Sequence, residues 1–336
     1  MKKVTKIILV VLGCVLISSV VYFFVGKAPI QKNILWGVNF SQMQAEKLGL
    51  DWRQTYLIII NDLGAKDIKL AINWDWINGT KGQYYFNDVD WQVLQAENNG
   101  VNLIIAIGLK TPRWPECHMP EWAINLPKEE REAAVLDYLT AMVQRYKGSR
   151  AVTTWQIENE PFFAFGICPE TDESFLKREV ALVKSLDTTR PVIITDSGEF
   201  SLWLKPAQIG DIVGTTMYRK VWANELKTYF PAPFPPLAYY LRAKMISYFF
   251  GKDVKCVELQ AEPWGPELLF DLSHEEQSKT MDLEKFKYNI KFAKETGWDT
   301  FYFWGAEWWY QMKEKYGQPE IWNEAKRLLH QSVNNI

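Results

Sequence analysis

Short apolar runs alternate with amphipathic segments over residues 34–330, and eight of these runs have the length of β-strands. Several are almost continuously apolar, which is typical of parallel strands that are buried on both faces. We predict the strands at Leu35–Phe40, Ile68–Asn73, Val101–Ile107, Val152–Ile157, Pro191–Thr195, Asp211–Thr216, Val254–Leu259 and Thr300–Trp304.

The segments between the strands carry the boundary residues of helices. Asp51 with Gln54 three residues later indicates a helix start, and Gly64 indicates its end. Further helices are predicted from Asn87 to Gly100 and over residues 128–146, 175–186, 283–295 and 320–329. Eight strands, most of them followed by a helix, predict an α/β fold, a single (β/α)8 barrel over residues 34–336. A doubly wound open sheet is less favoured, because no Gly-rich phosphate loop follows the first strand.

Residues 221–250 interrupt this alternation. They hold four prolines among many aromatic residues. We predict a long loop followed by a helix, which forms either a wall of a cleft or a membrane-facing surface.

The N-terminus has the pattern of a membrane anchor. Residues 7–25 contain no charged side chain, and this length is enough to cross a bilayer as a helix. Lys2, Lys3 and Lys6 precede the stretch, so we predict a cytoplasmic segment 1–6, a transmembrane signal-anchor helix 7–25, a linker 26–33 and an extracytoplasmic body. A cleaved signal peptide, which would release a secreted protein, is the second alternative, and a lipoprotein signal at Cys14 is the third.

Composition narrows the range of partners. The net charge of −2 gives no reason to expect nucleic acid, and 48% of the 336 residues are apolar, enough for a large core. The chain has 16 Trp, 15 Tyr and 18 Phe, and aromatic rings can stack on sugar rings. Cys117 and Cys168 both fall in predicted loops, where they either form a disulfide or remain free thiols, and Cys256 is predicted to be buried.

Two carboxylates lie at strand ends. Glu160 follows the fourth predicted strand and Glu258 belongs to the seventh, and these strands lie across a barrel from each other. An acid and a carboxylate nucleophile ~5–5.5 Å apart are the requirements of a retaining glycosidase. Glu262, four residues after Glu258, is the alternative nucleophile.

The motifs around these acids resemble glycoside hydrolase clan A. The resemblance rests on Asn159-Glu160-Pro161, on Glu258 and on three further stretches. These are Trp74-Asp75-Trp76 with Gly82-Gln83-Tyr84-Tyr85-Phe86 and Asp90, the stretch Asp187-Thr188-Thr189-Arg190-Pro191, and Trp304. It covers roughly residues 34–330 and implies the barrel fold, a retaining mechanism and no cofactor or metal.

The resemblance also implies roles for single residues. Glu160 would be the general acid and then the base, and Glu258 the nucleophile. Asn159 would bind the sugar 2-hydroxyl, Tyr218 would hold the carboxylate of the nucleophile, and Trp304 would stack beneath a sugar. We predict Trp74 and Trp114 as further substrate contacts.

The pattern departs from the cellulase-like branch of the clan, which leaves the family and the sugar open. That branch has an Arg on the second strand and a His after the third, where this chain has Lys69 and Lys110-Thr111-Pro112. The chain is thus cellulase- or xylanase-like in general pattern, and its exact family stays open. The sequence also cannot distinguish endo from exo action.

The sequence therefore predicts a membrane-anchored, extracytoplasmic, retaining glycosidase that cleaves a β-linked oligo- or polysaccharide. The expected partners are this carbohydrate and, through residues 7–25, the lipid bilayer. A catalytically inactive carbohydrate-binding protein and a transglycosylase acting on a cell-surface glycan remain the alternatives.

Overall fold

The protein is described here from a computed structural model, in which residues 22–170 and 172–333 are placed. Most of the predicted transmembrane helix, residues 7–21, lies outside this part of the chain. Residues 22–25 are helical. Over the described residues, no helix combines the length and the apolar character that a membrane crossing needs.

Eight parallel strands close into one barrel, which confirms the predicted (β/α)8 fold. Going round the barrel, the strands are β1 (Leu35–Phe40), β2 (Asp67–Ala71), β3 (Asn102–Ile107), β4 (Val152–Ile157), β5 (Val192–Asp196), β6 (Ile212–Met217), β9 (Asp253–Gln260) and β10 (Thr300–Trp304). The first strand pairs with the last, with Leu35 opposite Thr300.

Helices surround the barrel. They are α1 (Gln42–Lys47), α2 (Trp52–Asn61), α3 (Trp74–Ile77), α4 (Asn87–Asn98), α5 (Lys128–Tyr146), α6 (Glu173–Leu186), α7 (Leu204–Ile209), α8 (Pro236–Phe250), α9 (His274–Ser278), α10 (Leu283–Glu295), α11 (Ala306–Tyr316) and α12 (Glu320–Val333). Short 3-10 helices occupy Glu121–Ala123 and Leu269–Asp271. The Asp51 carboxylate accepts a hydrogen bond from the backbone N–H of Gln54 at 3.0 Å, as the capping pattern predicts. Asn87, predicted as a cap, is instead the first residue of α4.

The region 221–250 differs from its prediction. Strands β7 (Lys220–Ala223) and β8 (Thr228–Pro231) form an antiparallel hairpin before α8, where we predict a loop. Each strand has only four residues and is at most half-buried, so neither has the apolar pattern of the barrel strands. The helix that follows was predicted.

The core has an inner and an outer part because side chains alternate along each strand. Ile104, Ile193, Val257 and Tyr302 form a small cluster of their own, which fills the barrel, while the neighbouring strand residues join the large cluster shared with the helices. Gly37 is required for this filling, since a Cβ atom there would lie 2.6 Å from the Tyr302 ring.

Candidate active site

The two predicted catalytic carboxylates lie at the carboxyl-terminal edge of the barrel. Glu160 is the third residue after β4, and Glu258 lies near the end of β9. Both are buried, and their charges interact, because Glu258 is one of the groups that raise the pKa of Glu160. The structure therefore brings the two predicted residues into one site.

Glu258 is held by two donors from different strands. The Lys69 ammonium, in the middle of β2, donates to Oε1 at 2.8 Å, and the Tyr218 hydroxyl, just after β6, donates to Oε2 at 3.0 Å. Buried carboxylates need such partners, because their desolvation is otherwise costly. Each oxygen of Glu258 thus has a donor, and its orientation is fixed from both sides.

Glu160 is held less tightly. Its Oε1 accepts a hydrogen bond from the Thr216 hydroxyl at 3.1 Å, and its backbone N–H donates to the Thr195 hydroxyl at 2.8 Å. Burial, followed by the charges of Glu258 and Glu116, raises the pKa of Glu160 well above its usual range. This environment favours the protonated form of Glu160, which is the form that can donate a proton.

The backbone around Glu160 is fixed by Glu158 and Lys110. The Glu158 carboxylate accepts hydrogen bonds from the N–H groups of Leu109 (2.7 Å) and Lys110 (2.6 Å). The Lys110 ammonium in turn donates to the carbonyl oxygens of Glu160 (3.1 Å) and Phe163. The loops after β3 and β4 are therefore linked through buried polar contacts.

Glu158 approaches this backbone through Gly108. A Cβ atom at Gly108 would lie 2.4 Å from Glu158 Oε1, and the residue has a φ of +142°, so glycine is needed there. On its other side Glu158 hydrogen-bonds the carboxyl group of Glu179, and burial raises the pKa of both groups. Glu158 is therefore paired with another carboxyl group and not with a cation on this side.

Asn159 and Glu116 form the next contact in the site. The Asn159 amide nitrogen donates to Glu116 Oε2 at 3.0 Å, and the Asn159 side-chain oxygen accepts from Gln156. Burial, opposed by the charge of Lys110, raises the pKa of Glu116 to about 8. The site thus contains a third carboxyl group, that of Glu116.

Four residues of these two loops have backbone angles that side chains rarely adopt. The φ values are +92° for Arg113, +74° for Glu116, +58° for Glu158 and +43° for Glu160. Such conformations cost about 1–3 kcal/mol each and persist where surrounding contacts impose them, often at functional sites. Their concentration after β3 and β4 marks this edge of the barrel as the functional one.

Glu262, the alternative nucleophile, belongs to a separate network. The Arg113 guanidinium pairs with the Glu262 carboxylate and lies 3.4 Å from Glu307 Oε2. It also stacks over the Trp304 ring, 3.9 Å from the ring centroid. Burial raises the pKa of Glu307 to about 7. The charge of Glu262 is therefore compensated by Arg113, whereas the partners of Glu258 are Lys69 and Tyr218.

The predicted tryptophans lie in different surroundings. Trp304 is almost completely buried, with Arg113 on one ring face, and Trp74 is fully buried against Tyr138 and Trp122. Trp114 is 39% exposed at the rim. The structure thus places Trp304 beside Arg113, the partner of Glu262, and Trp74 in the packed interior against Tyr138 and Trp122.

Four rings lead from the rim of the barrel to Glu258, and we call them the aromatic wall. Successive ring centroids along it are separated by 5.9, 5.6 and 5.1 Å. The wall consists of Trp114, Phe165, Trp264 and Tyr218. Because the Tyr218 hydroxyl binds Glu258, the wall connects the surface with the Glu258 carboxylate.

Cys117 and Cys168 form a disulfide, which decides between the two alternatives predicted for them. The Ile167 N–H also donates to the Pro115 carbonyl at 3.0 Å. The disulfide therefore joins the loop after β3 to the loop after β4. Cys256 is buried as predicted.

The sequence indicated no role for Lys69, Thr195 or Thr216. A lysine inside an otherwise apolar strand that is buried on both faces is a usable signal, because its charge needs a buried partner. Lys69 has that position in Ile68-Lys69-Leu70. The threonines give no such signal, since threonine is an ordinary strand residue.

Residues 58–233, which are 176 of the 336 residues, match the family described as "Glycosyl hydrolases family 2, TIM barrel domain". The chain belongs to this family. This membership agrees with the predicted resemblance to glycoside hydrolases and with the (β/α)8 barrel.

Individual relatives are more distant. "Probable mannan endo-1,4-beta-mannosidase F" of Aspergillus flavus is 28% identical over 122 residues, which are 33% of this chain and 25% of that protein. The structure is similar to a β-galactosidase from Halorubrum lacusprofundi, with a TM-score of 0.58, 12% identity and coverage of 80% of this chain and 52% of that one. An endo-beta-1,4-mannanase from Thermotoga petrophila gives a TM-score of 0.51, 15% identity and coverage of 82% and 68%.

The chain thus spans about a quarter of the curated relative and about half of the β-galactosidase. At identities this low, the similar structures support the fold alone.

Proposed function

We propose that the protein is a membrane-anchored, extracytoplasmic glycosidase that cleaves a β-linked oligo- or polysaccharide with retention of configuration. The observation that carries the proposal is the pair formed by Glu160 and Glu258. Burial and neighbouring charge raise the pKa of the Glu160 carboxyl group, and the Glu258 carboxylate is held by an ammonium and a hydroxyl group. This difference in environment is what an acid and a nucleophile require.

In the first step, Glu160 donates its proton to the glycosidic oxygen while a Glu258 oxygen attacks the anomeric carbon. The bond to the leaving sugar breaks with its electron pair on the protonated oxygen, and an ester forms between the glycosyl group and Glu258. Glu160 is then ionised. In the second step it takes a proton from water, whose oxygen displaces Glu258 from the same carbon, and both glutamates return to their starting states.

The choice of Glu258 over Glu262 rests on their relation to Glu160. The charge of Glu258 raises the pKa of the Glu160 carboxyl group, and Tyr218 and Lys69 each bind one oxygen of Glu258. Glu262 is paired with Arg113 instead. In this proposal Glu258 is therefore the nucleophile that works with the acid Glu160.

The aromatic wall supports a carbohydrate substrate, because aromatic faces pack against the apolar faces of sugar rings. In this proposal Trp114 and Tyr218 contact substrate. Asn159 binds the 2-hydroxyl next to Glu116, and Trp304 lies beneath a sugar. A β-1,4-linked mannan is the first substrate to test, since the curated relative from Aspergillus flavus is named as a mannan endo-1,4-beta-mannosidase.

Two observations support the proposed location, namely the sequence of residues 7–25 and the disulfide. Disulfides persist in oxidising compartments outside the cytoplasm, so the Cys117–Cys168 bond supports an extracytoplasmic body. The uncharged stretch supports an anchor in the membrane.

The test uses the full-length chain with β-mannan, β-glucan, xylan and aryl β-glycosides. We expect hydrolysis of at least one substrate, with the β-anomer formed first in the NMR spectrum. Glu160→Gln should abolish it, whereas Glu225→Gln, an isosteric change in the exposed turn of the hairpin, should not. An α-anomer as first product, or full activity in Glu160→Gln, would contradict the proposal.

A further inference from the structure

A second concave site lies beside the catalytic centre on the same edge of the barrel. It is a pocket of about 290 Å³, close to the lower end of the ~300–1,000 Å³ range of ligand sites. Its walls come from the residues that follow β1 and β2 and from the start of α4. The side chains used below are those of Gln42, Met43, Asn73, Trp76, Tyr85 and Asp88.

The pocket shares a wall with the catalytic loop. Asn73, at the end of β2, accepts a hydrogen bond on its side-chain oxygen from the Thr111 hydroxyl at 3.1 Å. Thr111 follows Lys110, which binds the Glu160 carbonyl oxygen. A chain of two contacts therefore connects the pocket to the general acid.

Two aromatic side chains form the outer part of the pocket. Trp76 is 39% exposed and Tyr85 is 52% exposed, so part of each ring is accessible from solvent. The Tyr85 N–H donates to the Ile77 carbonyl oxygen at 2.8 Å, so the loop that carries this ring is fixed. Both rings are thus available for stacking at low entropic cost.

The inner part of the pocket is polar and held in place. Gln42 donates to Asp88 Oδ2 at 3.0 Å, and Arg53 donates to the other oxygen of Asp88. The amide nitrogen of Asn73 is directed at the Met43 sulfur, 3.7 Å away, and a thioether is a weak acceptor. A ligand hydroxyl would be a better partner for this buried amide.

Rings that can stack and a polar floor with a poorly satisfied donor match the chemistry of a neutral pyranose, which has apolar faces and hydroxyl edges. We propose that this pocket is a sugar-binding subsite that holds one residue of the glycan away from the bond being cleaved. The inference rests on the proposed function, because it takes the glycan to be the substrate of the same cleft. It predicts a preference for long chains over disaccharides.

The test measures binding separately from hydrolysis. Full-length Glu160→Gln is titrated by calorimetry with the β-1,4-linked disaccharide and hexasaccharide of mannose, glucose and xylose. Trp76→Ala and Tyr85→Ala are added to this background, and Tyr288→Ala serves as a matched control, since Tyr288 is exposed on the outer helix α10.

We expect one hexasaccharide to bind and Trp76→Ala or Tyr85→Ala to weaken it about ten-fold, with disaccharide binding and the Tyr288→Ala control unchanged. Equal affinity in all variants, or no binding of any hexasaccharide, would overturn the subsite. Both substitutions are at the surface, so circular dichroism and thermal melting should match the parent. Failure of the proposed function would instead appear as a wild-type chain that binds sugar without cleaving it.

Discussion

The Tyr218 hydroxyl donates a hydrogen bond to Oε2 of Glu258 across 3.0 Å, while Lys69 binds the other oxygen of the same carboxylate. Tyrosine and carboxylate come from adjacent strands of the barrel, β6 and β9. The contact joins the end of the aromatic wall to the proposed nucleophile. It therefore makes Tyr218 a residue whose removal should change catalysis more than folding.

Tyr218→Phe should lower kcat by about 10²-fold, because one donor that orients the reacting carboxylate is lost while the ring remains. KM should change little. The measurement is steady-state kinetics on the best substrate of the panel. Tyr229→Phe is the control, since the Tyr229 hydroxyl donates to Glu276 on the hairpin side and not to the site. Unchanged kcat in Tyr218→Phe would show that this hydrogen bond has no part in the reaction.

The buried carboxyl group of Glu116 should make stability depend on pH. Its pKa in the folded protein is raised to about 8, mainly by burial, against about 4.3 in the unfolded chain. The unfolded state therefore loses this proton first as the pH rises. The contribution of Glu116 to stability is fully present below about pH 4.3 and is lost as the pH approaches about 8.

Glu116→Gln should remove the part of the loss of stability with rising pH that comes from Glu116. Urea midpoints at pH 5 and pH 8 would measure it, and the difference between the two should be smaller in the variant than in the wild type. Glu225→Gln, in the exposed turn between β7 and β8, should keep the wild-type difference. An equal difference in Glu116→Gln would mean that Glu116 ionises in the folded protein as it does in the unfolded chain.

The barrel could be predicted from the sequence because its strands are signalled locally. Leu35–Phe40, Val152–Ile157 and Thr300–Trp304 have the predicted bounds, since each is an apolar run between polar or turn residues. The hairpin of β7 and β8 could not, because four-residue strands at the surface bury too little apolar area to show a pattern. Such strands depend on contacts with the rest of the fold.

The site could be predicted only in part. The motif at Glu160 and the strand end at Glu258 identify two carboxylates that the barrel geometry brings together. The pairing of Arg113 with Glu262 links positions 149 residues apart, and that of Lys69 with Glu258 links positions 189 apart. Such pairs arise only when the sheet closes, so no local pattern indicates which of Glu258 and Glu262 is neutralised by arginine.

The assignment of the nucleophile can be tested with azide, a small anion that can replace a missing carboxylate. Glu258→Ala should lose turnover by at least ~10³-fold, because no group remains to form the covalent intermediate. With azide present, attack from the vacated side should release a glycosyl azide of inverted configuration. Glu262→Ala leaves Arg113 with Glu307 and should give a smaller loss and no azide product. A glycosyl azide formed by Glu262→Ala alone would reverse the assignment.

The Cys117–Cys168 disulfide should affect both stability and catalysis, because it closes the two loops that carry Glu116 and Glu160. Its half-cystines are 51 positions apart, for which loop-closure entropy gives a stabilisation of about 4 kcal/mol. The double variant Cys117→Ser/Cys168→Ser should lose about 2–4 kcal/mol of unfolding free energy in urea. It should also lose kcat at temperatures well below its melting transition, since the loop after β3 would no longer be held against the loop after β4. Dithiothreitol should produce the same changes in the wild type and none in the double variant. If reduction lowers the melting temperature but leaves kcat unchanged, the bond stabilises the fold without ordering the site.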